Sequence, residues 1–156
     1  MSTADFKITD FAEEHISSVA ELERSCFSSP ISEANLRALL LGGIGKGFVC
    51  IETKSGNISA YGGVIVAAGE AQILNIATHE NFRRQGLGRL VVKSILEYSE
   101  ALGAEYITLE VRENNLPAIR LYESLGFFEV GKIKDYYVSP KENALILKKD
   151  LSASQL

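Results

Sequence analysis

The sequence has no tryptophan, two cysteines, two histidines and three prolines, and neither sign of charge dominates it. Cys26, Cys50, His15 and His79 are too scattered to form a Cys-x-x-Cys pair or a metal-ligand pattern, so no metal site and no disulfide framework is expected. The net charge of −4 and pI of about 5.3 provide no basic field to gather nucleic acid or an anionic membrane. No apolar run approaches the roughly 20 residues needed to cross a bilayer. Met1 to Asp10 lacks the basic stretch and apolar run of a secretory signal. Neither nucleic acid nor membrane is an expected partner, and the cytoplasm, with its reduced thiols, is the expected compartment.

What remains is a globular composition, 46% apolar and 23% charged over 156 residues. Residues 1–156 are expected to form one domain, large enough to bury roughly 70% of the surface its unfolded chain exposes. A monomer or weak dimer is the expected state.

Periodicity orders the elements. Phe6 to Thr9 alternates as a strand, and Ile16, Val19, Ala20 and Glu23 to Phe27 follow a helical period that should end near Cys26 to Pro30. Ser32 is a good N-cap for a second helix carrying Leu36, Leu39 and Leu40, which the glycine-rich stretch Gly42 to Gly47 should stop. Three strands follow, Phe48 to Thr53, Ile58 to Ala67 and Ala71 to Thr78, joined by short turns that imply an antiparallel meander. Gly88 to Leu102 reads as an amphipathic helix stopped by Gly103, and Tyr106 to Val111 as a strand. A strand, a crossover helix and another strand should pair in parallel. The next helix, about Leu116 to Leu125, has Pro117 at its start and Gly126 past its end. Phe127 to Lys134 and Ala144 to Asp150 close the sheet, with Asp135 to Asn143 expected as a loop between them. The sum is an α/β domain with a mixed, mostly antiparallel sheet, one central parallel pair and helices on both faces.

The most informative segment surrounds Arg83, Arg84, Gln85, Gly86, Leu87 and Gly88, where a strand gives way to a helix. Glycines let the backbone turn tightly and approach a ligand, and the unpaired amides of a first helical turn attract an anion. Arg83, Arg84 and Arg89 could add charge-assisted bonds. A pyrophosphate suits this turn. A dinucleotide fingerprint would need glycine where Val91 stands, and the Gly42 to Gly47 stretch lacks Walker spacing, so neither NAD nor ATP is indicated.

Arg83-x-x-Gly86-x-Gly88 after a strand resembles the coenzyme A pyrophosphate signature of the GNAT superfamily of N-acetyltransferases. The element order matches that superfamily over nearly the whole chain. Three blocks, Asn75 to Gly88, Leu109 to Phe127 and Lys134 to Leu147, are similar to the bacterial RimI group, which acetylates the N-terminal alanine of a ribosomal protein. The resemblance implies acetyl-coenzyme A (acetyl-CoA) as cosubstrate and no metal. It places the pantetheine arm along Ile76, Ala77 and Thr78, the pyrophosphate on Arg83 to Gly88, and a further cofactor contact on Asn115. It makes Glu110 the general base and Tyr122 the general acid. One departure is visible: the family often carries proline-tryptophan-serine after the first helix, where this chain reads Pro30-Ile31-Ser32.

The residue chemistry can be read without the family. Strand alternation sets Thr108, Glu110 and Arg112 on one face, with Glu110 at the strand's C-terminal end, where ligands of α/β sheets bind. Such a carboxylate could take an ammonium proton or form an ion pair with Arg112. An α-amine, with a pKa of about 7.7 to 8.0, is easier to deprotonate than lysine at about 10.4, by roughly 3 to 4 kcal/mol. An N-terminal acceptor is therefore expected. Tyr122 could donate to a departing thiolate or simply pack between helix and sheet. Tyr136 and Tyr137, in the loop before the last strand, could form one wall of a peptide groove or pack locally. A small-molecule or lysine acetyltransferase, and a module that binds acetyl-CoA without catalysis, stay open on sequence alone.

Overall fold

The computed structural model describes residues 5–151. Its elements run β1 (Phe6–Asp10), α1 (Ile16–Cys26), α2 (Glu33–Leu41), β2 (Gly45–Glu52), β3 (Ile58–Ala67), β4 (Glu70–Thr78), α3 (Leu87–Ala101), β5 (Tyr106–Arg112), α4 (Leu116–Ser124), β6 (Phe128–Val138) and β7 (Lys141–Asp150). The strands form a seven-stranded sheet in the order β1-β2-β3-β4-β5-β7-β6. Every pairing is antiparallel except β4 with β5.

The two sheet faces carry separate cores. On one, Val91, Val92, Ile95 and Leu96 of α3 meet Ile73, Ile107 and Leu109, with Tyr122 of α4 and Phe127 completing the layer. On the other, Val19 and Leu22 of α1 and Leu36 and Leu40 of α2 pack on Val49, Tyr61 and Ala77. These are the apolar stripes read from the sequence, and each needs a sheet face to leave water.

Two irregularities shape the centre of the sheet. Strand β4 pairs Ile73 with Val64 and Ile76 with Gly62, so Leu74 and Asn75 stand opposite the single residue Gly63. This bulge sends Ile73 and Ile76 toward α3 but Leu74 and Ala77 toward α1 and α2. The parallel pairing of β4 with β5 is confined to Glu70–Tyr106, Ala71–Ile107 and Gln72–Thr108. Beyond it the strands part, and the sheet opens into a fork toward their C-terminal ends.

Two expectations need correction. The stretch Asp135 to Asn143 is not a loop, because β6 continues to Val138 and β7 begins at Lys141. A bulge between Ile133 and Tyr137, with Asp135 at φ 54, absorbs the polar residues while the aromatic run after it rejoins the ladder. Tyr136 and Tyr137 therefore lie on a strand. The glycine-rich stretch is also partly strand, since β2 starts at Gly45. Gly47 is there because the Phe11 side chain lies 2.8 Å from where its Cβ would be.

Candidate active site

The turn between β4 and α3 is built to present backbone donors. Gly86 caps α3 in a left-handed conformation at φ 78, which L side chains adopt only under strain, and no side chain caps the helix. Among the described residues, the amides of Leu87, Gly88 and Arg89 find no carbonyl partner, the first backbone bond of the helix being Leu90 N to Gly86 O. The carbonyl Oε1 of Gln85 is enclosed and has no hydrogen-bond donor. A row of unpaired amides at the positive end of a fifteen-residue helix fits a diphosphate, so these residues suit coenzyme A.

The arginines divide their work. Arg83 Nε donates to Thr78 O at 3.2 Å and its Nη2 lies 3.7 Å from Cys26 Sγ, so this side chain fixes the end of β4. Arg89 Nη2 donates to Ser124 Oγ at 2.6 Å, joining α3 to α4. Arg84, exposed at φ 65, makes no such bond among the described residues. Ile76, Ala77 and Thr78 run along the free side of the fork, past the last β4–β5 pair. Asn115 is the N-cap of α4, its Oδ1 accepting from Ala118 N at 3.3 Å, so only its side-chain amide group remains for a ligand.

Glu110 stands on the opposite prong. Gln72 Nε2 approaches its two oxygens at 3.5 and 3.4 Å, a loose contact across the base of the fork. Arg112 does not pair with it; that guanidinium binds Glu142 Oε1 at 3.1 Å. The ion-pair alternative for Glu110 is thereby removed, and the carboxylate holds no salt bridge among the described residues.

Tyr122 is 7% exposed and packs edge-on to Phe127 at 5.6 Å. Burial, with a smaller contribution from the Tyr137 charge, holds its phenol well above the usual tyrosine range. Its hydroxyl has no hydrogen-bond partner among the described residues. Tyr137 links the two sides: burial first, then Tyr136, push its phenol up to about 12, and Glu110 and Glu142 act in the same direction against Arg112. Its ring lies edge-on to Tyr136 at 5.0 Å and over the Arg112 guanidinium at 4.2 Å. Tyr136 is 49% exposed.

Sequence reading placed Glu23 and Arg112 but not their partners. Glu23 is fully buried on α1, where its carboxylate accepts from Tyr61 Oη, Asn75 Nδ2 and Ile31 N. Its signal was a charge at a position that the helical period of Val19 and Ala20 assigns to the core. Arg112 shares a strand face with Glu110, which alternation alone gave.

The site is thus a seven-stranded sheet forked at one parallel pair, with a glycine-capped anion turn on one prong and a carboxylate on the other. The pattern of the Acetyltransferase (GNAT) family matches residues 16–127, and the chain belongs to that family, as an acetyl-CoA-dependent N-acetyltransferase. It is 36% identical over 134 residues to the putative [ribosomal protein bS18]-alanine N-acetyltransferase of Bacillus subtilis, covering 86% of this chain and 88% of the relative. The crystal structure of the ribosomal-protein-S18-alanine N-acetyltransferase from Escherichia coli superposes with a TM-score of 0.85 at 30% identity, covering 94% of each chain. The same fold, at 14% identity and a TM-score of 0.85, is seen in Arabidopsis thaliana NAA60 in complex with acetyl-CoA, over 94% of this chain and 98% of that one.

Proposed function

We propose that the chain is a cytoplasmic protein N-terminal acetyltransferase, a single catalytic domain that acetylates the α-amine of a ribosomal protein beginning with alanine. The observation that carries this reading is the match to bS18-alanine N-acetyltransferases over 86% of the chain, which spans the anion turn, Glu110 and Tyr122 together.

Acetyl-CoA supplies the activated acyl thioester. The amides of Leu87, Gly88 and Arg89, with Arg84, would hold its diphosphate, and the side of Ile76 to Thr78 that faces away from β3, past the last β5 pair, would align its arm. The side-chain amide of Asn115 adds a donor. Glu110, facing the fork with no salt bridge among the described residues, takes the proton of the acceptor ammonium, directly or through one water. A single carboxylate suits an α-amine, which is roughly 3 to 4 kcal/mol easier to deprotonate than lysine. Tyr122 Oη, kept protonated by burial, is the donor on the leaving side. Tyr136 and Tyr137 form the wall along which the acceptor's first residues lie.

The test is a peptide with a free N-terminal alanine and an internal lysine, incubated with acetyl-CoA and sequenced by tandem mass spectrometry. The expected product carries one acetyl group on the α-amine. Acetylation of the lysine at a comparable rate would overturn the acceptor assignment.

A further inference from the structure

Arg112 holds together two segments distant in sequence. Its Nη2 donates to Ser28 Oγ at 3.1 Å, in the connection between α1 and α2, and to Ser139 O at 3.2 Å, in the β6–β7 turn. Its Nη1 donates to Pro140 O at 2.9 Å and to Glu142 Oε1 at 3.1 Å. The Tyr137 ring covers the guanidinium plane. One side chain thus bridges the first helical hairpin and the last strand hairpin, two residues beyond Glu110 and on the same face of β5.

The α1–α2 connection is also held at its other end. Ile31 N donates to Glu23 Oε1 at 2.9 Å, and that carboxylate is tied to Asn75 in the β4 bulge and to Tyr61 on β3. Residues 27–32 are therefore pinned to β4 through Glu23 and to β5 through Arg112. α1 and α2 cover β2, β3 and β4 on this face, which leaves Glu110 to be approached between this connection and the β6–β7 hairpin.

We propose that Arg112 is a positioning residue that latches these two walls together, setting the width of the entrance through which the acceptor amine reaches Glu110. It acts on acceptor affinity and leaves coenzyme binding alone, because the anion turn lies on the far prong. The proposal rests on the reading of Glu110 as the acceptor-side base. The planar fork matters as much as the charge: lysine keeps the charge but cannot meet four acceptors across two segments.

The experiment uses the full chain with Arg112→Lys, Arg112→Met and Ser28→Ala, the last removing one strut while sparing the guanidinium. Hydrogen–deuterium exchange is followed at residues 27–32 and 138–141, with acetyl-CoA affinity and steady-state kinetics on the N-terminal alanine peptide. Arg112→Met should speed exchange in both segments and raise the peptide KM by about tenfold, the effect of losing one to two net hydrogen bonds, with kcat and coenzyme Kd within about threefold. Arg112→Lys should rescue little, and Ser28→Ala should speed exchange at 27–32 alone. Unchanged exchange in both Arg112 variants, or a kcat loss with constant KM, would overturn the latch. If the unaltered enzyme fails to turn over the peptide, the acceptor assignment falls, and the exchange rates still decide whether Arg112 couples the two walls.

Discussion

Tyr122→Phe separates a catalytic hydroxyl from a structural ring. The ring is buried against Phe127, and phenylalanine preserves that contact. The hydroxyl makes no hydrogen bond within the described residues, so its removal strands no partner and should cost under about 0.5 kcal/mol. For a chain of this size that is a shift in thermal midpoint of about 2 °C or less. The rate should respond very differently. Losing one donor aimed at developing charge costs roughly 2.7 to 4 kcal/mol, or about 10² to 10³ in kcat. Thiol release from acetyl-CoA under saturating peptide, measured beside thermal unfolding and coenzyme Kd, reads all three quantities. A kcat within about threefold of the unaltered enzyme would refute the role of Tyr122. So would a loss of rate that tracks a drop of more than about 5 °C in midpoint, since the ring would then be the important part.

Gly86→Ala meets no steric obstacle at its Cβ but must hold φ 78, so it should cost about 1 to 2 kcal/mol in stability and weaken acetyl-CoA binding by calorimetry; unchanged binding would remove the turn from the coenzyme site. Asn115→Ala deletes the α4 N-cap and should lower the midpoint by about 2 to 4 °C, with Asn115→Asp restoring it, as checked by calorimetric scanning. The tyrosines predict an alkaline limit. Burial raises Tyr61, Tyr122 and Tyr137 in the folded chain, Tyr137 to about 12, so the unfolded chain releases these protons first, near pH 10. Stability is fully present below that pH and is lost above it. The midpoint should be flat from pH 7 to 9 and fall beyond about pH 10, less steeply in Tyr61→Phe; a flat curve to pH 11 would contradict the shifts.

The sequence carried the fold wherever burial follows a period. Ser32 and Pro117 mark helix starts because capping chemistry is local, and Ile107, Leu109 and Val111 fall on the α3 face because strand alternation is local. The anion turn was legible for the same reason: Gly86 and the unpaired amides after it are consecutive. What escaped depends on pairing across the chain. The β4 bulge needs the register of β3, and the strand character of Tyr136 to Val138 needs β7 to pair with it. Arg112 looked like a partner for Glu110 because they share a face; Glu142, thirty residues on, takes it instead. Glu23 read as one position of an amphipathic helix, and only Tyr61, Asn75 and Ile31 explain a carboxylate with no exposed surface.

The most direct test of the account is the single-turnover rate of Glu110→Gln across pH, with acetyl-CoA affinity measured on the same preparation. The account predicts a loss of about tenfold at pH 7 with unchanged coenzyme binding, because only about a tenth of an α-amine with a pKa of about 8 is neutral there. That loss should shrink toward pH 9, as the acceptor α-amine, with a pKa of about 8, sheds its proton unaided. A full rate at pH 7, or a loss that stays constant as the pH rises, would contradict the assignment of Glu110 as the group that takes the acceptor's proton.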